Sequence, residues 1–278
     1  MVDRVWQFFA FNPQHLRLLA TAAILGLVFA AEALWPRRAA LRGRRWPINF
    51  ALLIAAGLML SLIPVAAVGV ASWAHAHGLG LFNVLHVPAW LETAVAIIVL
   101  DASMYWQHRS MHGPAWLWRL HRVHHSDVEF DATTALRFHP LEMLATSVWK
   151  WATVLLLGAS PLAVVLFEAI TGMYSLFIHS NLHVPAAIDR VWRRVFVTPD
   201  LHRIHHSVDF DEGNRNFGTI FSCWDRWFAS HCAQPRDGHD DMQIGLPEFR
   251  AARDQSLTAL LLQPLRTAEP PPAAGERP

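Results

Sequence analysis

The chain has 278 residues, 53% hydrophobic and 16% charged, with a mean hydropathy of +0.24, which is too apolar for an ordinary soluble enzyme and reads as a polytopic membrane protein. Thirteen Trp and 16 Phe against two Tyr suit lipid-facing and interfacial surfaces. A net charge of +1, with no basic run interleaved with aromatics, argues against nucleic acid as a partner.

The first apolar stretch, Leu16 to Trp35, contains Ala31-Glu32-Ala33, which resembles a signal-peptide cleavage site. Arg37, Arg38, Arg42, Arg44 and Arg45 follow at once, and such a cluster is retained on the cytoplasmic side, so an uncleaved span with its start outside is expected. A second span is expected from about Ile48 to Trp73, kinked at Pro64. The connection from about Ala74 to Pro88 lacks Lys and Arg, as on an outer side, and its His75, His77 and His86 read as solvated.

A third span, about Trp90 to Gln107, returns to the cytosolic face. On it Asp101, Tyr105, His108 and His112 fall within about 60° of one another, forming one stripe. A carboxylate inside an apolar span is costly unless paired, so Asp101 is expected to orient a ligand histidine. From about Met143 to Ile178 the chain is apolar again, broken at Gly158-Ala159-Ser160-Pro161 into two legs, each short for a full crossing. Whether this hairpin spans or dips, it returns the chain to the side it left. Next comes an amphipathic stretch in which Ile188, Val191, Trp192, Val195 and Phe196 follow the helical period, and it is expected to lie flat on the inner leaflet. The tail from about Pro264 is expected to be disordered.

Ten of the 17 histidines form four boxes: His108-x-x-x-His112, His121-x-x-His124-His125, His179-x-x-x-His183 and His202-x-x-His205-His206. Three-apart and four-apart spacings aim the imidazoles of a helical box at one face. Ten packed imidazoles without a cation would repel on partial protonation and strand buried donors, whereas two ions shared among ten give about five ligands each and leave an open position. The hairpin's parity lets boxes one and two meet boxes three and four. No Glu-x-x-His occurs, so the ligation is all imidazole, which suits iron, zinc or copper about equally. The expected architecture is all-α: a polytopic membrane helical bundle with a cytosolic helical cap carrying the dimetal site. Residues 1–89 would hold the first spans and outer loop, 90–230 the catalytic domain and 231–278 the C-terminal segment. Cys223 and Cys232 are expected to stay reduced.

These boxes, together with Asp101-x-x-x-Tyr105-x-x-His108-Arg109, Arg137-x-His139-Pro140-x-Glu142 and Thr198-Pro199-x-x-His202-Arg203-x-His205-His206-Ser207, resemble the fatty acid hydroxylase and sterol desaturase superfamily over about residues 90–230. The resemblance implies an integral-membrane, non-haem di-iron oxygenase of lipids that uses dioxygen, with two iron ions, or zinc in their place, held by the ten box histidines. Hydroxylation is favoured over desaturation. His139 lacks a partner three or four residues away and takes a supporting or structural role, with Arg137 and Glu142 as an ion pair near the site. Asn181 is expected to hydrogen-bond a ligand or a carbonyl. Asn216, Phe217, Gly218, Trp224 and Asp225 resemble the superfamily's C-terminal segment and are expected to close the site from below. His15, His231 and His239 read as solvated.

No dinucleotide-binding turn, four-cysteine cluster set or cytochrome-like domain occurs, so a separate electron donor is expected, with a bacterial inner membrane as the location and the site on its cytoplasmic side. Three other classes compete. A zinc-dependent hydrolase would need a carboxylate base beside three ligands, a haem electron carrier would show paired histidines on spans, and a cation transporter would place its ligands at the bilayer midplane.

Overall fold

The computed structural model describes residues 13–39, 43, 45–63, 65–85 and 87–267. Helix α1 (Pro13–Leu34) precedes α2 (Arg45–Ser61), α3 (Ala67–Ala76), α4 (Ala89–Met111), α5 (Ala115–His125) and α6 (Pro140–Leu157). The chain continues through α7 (Pro161–Ile178), α8 (Ala186–Trp192), α9 (Pro199–His205), α10 (Cys223–Trp227) and α11 (Leu257–Leu262), with shorter turns between. Among the described residues extended pairing is confined to isolated bridges.

Three helices start with a side-chain cap followed by proline: His139-Pro140, Ser160-Pro161 and Thr198-Pro199. In each, the capping side chain accepts an orphan backbone N–H, while proline supplies a preset φ where no donor is needed. The apolar stretch read as one span from Ile48 to Trp73 is instead two helices, broken between Ser61 and Ala67. Pro64, like Arg42, Arg44 and His86, lies outside the described residues.

Helices α6 and α7 form the hairpin, each of 18 residues and about 27 Å long at 1.5 Å per residue. Its turn packs on the loop before α4: a Cβ on Gly80 would lie 2.2 Å from the Gly158 nitrogen, so both positions admit only glycine. There, Glu92 accepts the Ser160 N–H at 2.9 Å. The opposite end gathers the C-termini of α4 and α7 and the N-terminus of α6, and this brings the histidine boxes together. The main apolar core joins α3, α4, α6 and α7 through Ala71, Leu100, Val154, Val164 and Phe167.

Helices α4 and α7 are long and apolar enough to cross a membrane. Leu58, Trp90, Leu156 and Leu162 stand more than 60% exposed along the bundle, as expected of a surface seated in lipid. Ile188, Val191, Trp192 and Val195 on and just after α8 are exposed too. At the C-terminus, Leu260 packs with Leu52 and Val123, and a 3-10 turn at Gln263–Leu265 buries Pro264. Buried chain runs to Pro264, where Arg122 donates to Gln263 O and Arg266 O, while Leu265, Arg266 and Thr267 are exposed. Residues 268–278 lie outside the described residues.

Candidate metal centre

Nine of the ten box histidines converge as two groups. His108, His112, His121, His125 and His205 form one, and His124, His179, His202 and His206 the other; within each group the ligand nitrogens lie within 4.8 Å of one another. The boxes do not stay whole. The four-apart pairs 108/112, 121/125 and 202/206 each remain in one group, while His124 and His205 cross into the opposite one. A four-residue step along a helix turns 400°, or 40° beyond a full circle, but neighbours differ by 100°, so each His-His dipeptide aims its two rings at different points.

His183 stands apart. Helix α7 ends at Ile178 with His179 as its C-cap, so the four-residue spacing no longer places His183 on the same face. It is exposed, and its backbone N–H donates to Trp35 O at 2.8 Å.

The imidazole contacts identify what the groups are built to hold. Nε2 approaches Nε2 at 3.1 Å between His108 and His121, 3.0 Å between His205 and His108, 3.2 Å between His125 and His121, 3.1 Å between His179 and His124, and 2.9 Å between His202 and His179. On the far side of five rings, Nδ1 meets an acceptor: Phe217 O for His108 (2.8 Å), Glu142 Oε1 for His121 (2.5 Å), Arg137 O for His124 (3.3 Å), Ser175 O for His179 (2.8 Å) and Arg215 O for His205 (2.8 Å). An acceptor there keeps the proton on Nδ1 and leaves Nε2 a bare lone pair. In the pairs 108–121, 205–108 and 179–124, two lone pairs therefore face each other with no proton between them. A shared cation resolves this: two nitrogens about 2.1 Å from one ion and at right angles lie about 3.0 Å apart. Both His206 nitrogens and His112 Nε2 are buried without a hydrogen-bond partner, as ligands awaiting an ion would be.

Protonation is disfavoured at seven of these rings. Burial first, and neighbouring imidazoles second, hold His112, His124, His125, His202, His205 and His206 well below the usual histidine range; the same burial lowers His179 to about 4. Neutral rings are the ligating form.

The supporting residues are partly those expected. Glu142 is not paired with Arg137; its carboxylate accepts from His121 instead. Arg137 is fully buried and points away, donating to Val123 O, Asn49 Oδ1, Ser126 Oγ and Gln255 Oε1. Asp101 touches no histidine: it accepts from Ile220 N, Phe221 N and Trp224 Nε1. It thereby anchors the turn whose Phe217 carbonyl holds His108. Tyr105 packs on Phe217 and bonds Ser230 Oγ at 2.8 Å. His139 caps α6, and its Nε2 faces Leu261 O at 3.2 Å, a structural role. Asn181 takes the carbonyl option, donating to Arg38 O.

The segment at 216–225 lies against α4. Asp225 accepts from Phe217 N and Gly218 N, and a Cβ on Gly218 would lie 2.8 Å from Asp225 Oδ2. His239 is buried, 3.9 Å from Asp200, rather than solvated, and His231 is half-buried. His75 and His77 are exposed; the side chain of His15 lies outside the described residues. Both cysteines are free.

Sequence reasoning missed the carbonyls of Ser175, Arg215 and Phe217, since a backbone oxygen has no residue signature. It also missed the buried network in which Arg45 pairs with Asp127 and Asp131. The Arg45 and Arg137 charges hold Asp127 down to about 2 against the opposing effect of burial.

A family model described as fatty acid hydroxylase matches residues 93–230. An ornithine lipid hydroxylase of Rhizobium tropici is 29% identical over 245 residues, covering 84% of this chain and 70% of that protein. An alkylglycerol monooxygenase of Danio rerio is 28% identical over 186 residues, or 66% of this chain; the match spans only 40% of that longer protein. A very-long-chain aldehyde decarbonylase of Oryza sativa is 30% identical over 140 residues, 49% of this chain and 53% of that protein. No solved structure matches.

Proposed function

The chain belongs to the fatty acid hydroxylase family through its residues 93–230, and from that premise we propose that it is a membrane-bound, dioxygen-dependent hydroxylase of an aliphatic lipid working with two iron ions. The observation that carries this reading is the pair of all-imidazole groups whose Nε2 lone pairs face one another at about 3 Å. His108, His112, His121, His125 and His205 would hold one ion, and His124, His179, His202 and His206 the other. Bound iron would supply the reductive activation of dioxygen and the removal of hydrogen from an unactivated carbon. Similarity to a lipid hydroxylase and to a monooxygenase of alkylglycerols supports a lipid substrate and hydroxylation.

The chain's own residues prepare that chemistry. Glu142 and the Phe217, Arg137, Ser175 and Arg215 carbonyls fix the rings as Nε2 donors, and the Glu142 carboxylate sets the orientation of the His121 ring. Phe217 and Trp118 lie against the five-imidazole group, Phe130 and Phe138 against the other, and their rings shield the imidazoles from water.

The proposed setting is a multi-pass protein of a bacterial inner membrane, its site at the cytoplasmic side beside Arg37 and Arg38, with electrons from a separate donor protein. The test is elemental analysis of the purified protein joined to mass spectrometry of total lipids with and without the gene. Two ions per chain are expected, and a lipid gaining one oxygen only when dioxygen and a reductant are supplied. A lipid losing two hydrogens would replace hydroxylation with desaturation, and absence of bound metal would overturn the reading.

A further inference from the structure

Between the C-terminal end of α7, α8 and Trp35 lies a cavity of about 500 Å³ that includes none of the nine clustered histidines. Its wall is almost wholly apolar, formed by Trp35, Phe177, Val184, Ile188 and Trp192, with His183 at its edge and Thr198 in its lining. The volume falls within the roughly 300–1,000 Å³ of small-molecule sites.

Three observations say what it holds. First, its lining is continuous in sequence with the metal ligands: Phe177 lies two residues before His179, and Thr198 caps the helix of His202, accepting that residue's N–H at 3.0 Å. Second, Trp35, Ile188 and Trp192 are 62%, 56% and 43% exposed and adjoin exposed Leu34, Val191 and Val195, so the cavity opens into an apolar surface rather than a polar one. Third, the polar groups of Trp192 and Thr198 are already engaged, the indole N–H with Tyr174 Oη at 2.9 Å and the Thr198 hydroxyl with the Leu201 N–H at 3.4 Å, which leaves His183 as the remaining polar side chain of the lining.

We infer that this cavity receives the alkyl chain of a membrane lipid from the bilayer side, and that His183 hydrogen-bonds the ester, amide or hydroxyl group joining the chain to its head. The inference rests on the hydroxylase reading and adds to it the entry route and a residue that selects for a polar linkage. It also explains why the tenth box histidine lies apart from the ions.

The test uses full-length, metal-loaded protein in phosphatidylcholine nanodiscs with two photoreactive probes, a long-chain fatty acyl ester carrying a mid-chain diazirine and a plain hydrocarbon diazirine. Both should label peptides within 177–198. Val184→Trp and Ile188→Trp fill the cavity from two positions and should each reduce labelling by roughly tenfold while metal content stays at the wild-type value. His183→Ala should keep both ions, lose several-fold of the acyl-ester labelling and leave the hydrocarbon labelling unchanged. Labelling located elsewhere, or undiminished in both tryptophan variants, overturns the route; loss of an ion in His183→Ala overturns the assignment of that residue. Labelling as expected without any oxygenated product would sink the hydroxylase reading and leave the alkyl-chain site standing.

Discussion

The five-imidazole and four-imidazole groups are drawn largely from the same helices, yet they are supported in different ways. The larger group includes half-buried His108 and His112 and leans on a carboxylate, Glu142, and on a loop anchored from α4 by Asp101. The smaller is wholly buried, with Phe138 stacked on His124 at 4.4 Å and Phe130 against His206 at 5.1 Å. No carboxylate is found on its rings among the described residues; the Nδ1 partners seen there are the Arg137 and Ser175 carbonyls. With neutral imidazoles alone, an ion in the smaller group would keep its full charge inside apolar walls, whereas Glu142 would offset part of the charge of an ion in the larger.

The sharpest way to break this comparison uses adjacent residues. His205→Ala removes one of five nitrogens from the larger group, and His206→Ala one of four from the smaller. Each variant should lose its own ion preferentially, and His206→Ala more completely, because three imidazoles remain there against four. Activity should fall at least about 100-fold in both, the upper end of what losing a mere supporting residue costs. Metal stoichiometry by elemental analysis, with each variant's spectrum compared after cobalt substitution, reads the outcome. Equal loss of both ions in both variants would mean the groups are one site.

Much of this site was legible in the sequence, and its gaps have identifiable causes. The pairs 108/112, 121/125 and 202/206 could be read because helical periodicity operates inside each box. His183 could not, because the spacing is a helix signal only while the helix lasts and α7 stops at Ile178. Asp101 was recognisable as a carboxylate needing partners, but those partners lie about 120 residues away at Ile220 and Phe221. Nearness in sequence suggested that Arg137 and Glu142 pair, whereas their side chains leave opposite sides of the chain toward Asn49 and His121. Gly158 and Pro161 mark the hairpin's turn, whereas a lone proline in an apolar run signals a kink and a break equally, and here the chain breaks between Ser61 and Ala67.

A smaller effect is expected from Glu142→Gln. The amide keeps the size and one acceptor but removes the negative charge bonded to the His121 ring. Retention of one ion, and only one, should weaken by about 10- to 100-fold. Competition against a graded series of chelators measures it; the four-imidazole ion serves as the internal reference and should be unmoved.

The mildest change is Asp101→Asn, which acts two links from the nitrogens. The carboxylate accepts three N–H groups, at 2.7–3.2 Å, from a turn that in turn presents the Phe217 carbonyl to His108. An amide replaces one acceptor oxygen with a donor that faces other donors, at a cost of roughly 1–3 kcal/mol for a buried unsatisfied group. Thermal unfolding in detergent should therefore begin earlier. Because Phe217 of this turn meets His108, His112 and His205, all of the five-imidazole group, that ion should exchange faster with added radioactive zinc while the other keeps its wild-type rate. Equal acceleration at both would show that Asp101 stabilises the bundle as a whole rather than one ion's scaffold.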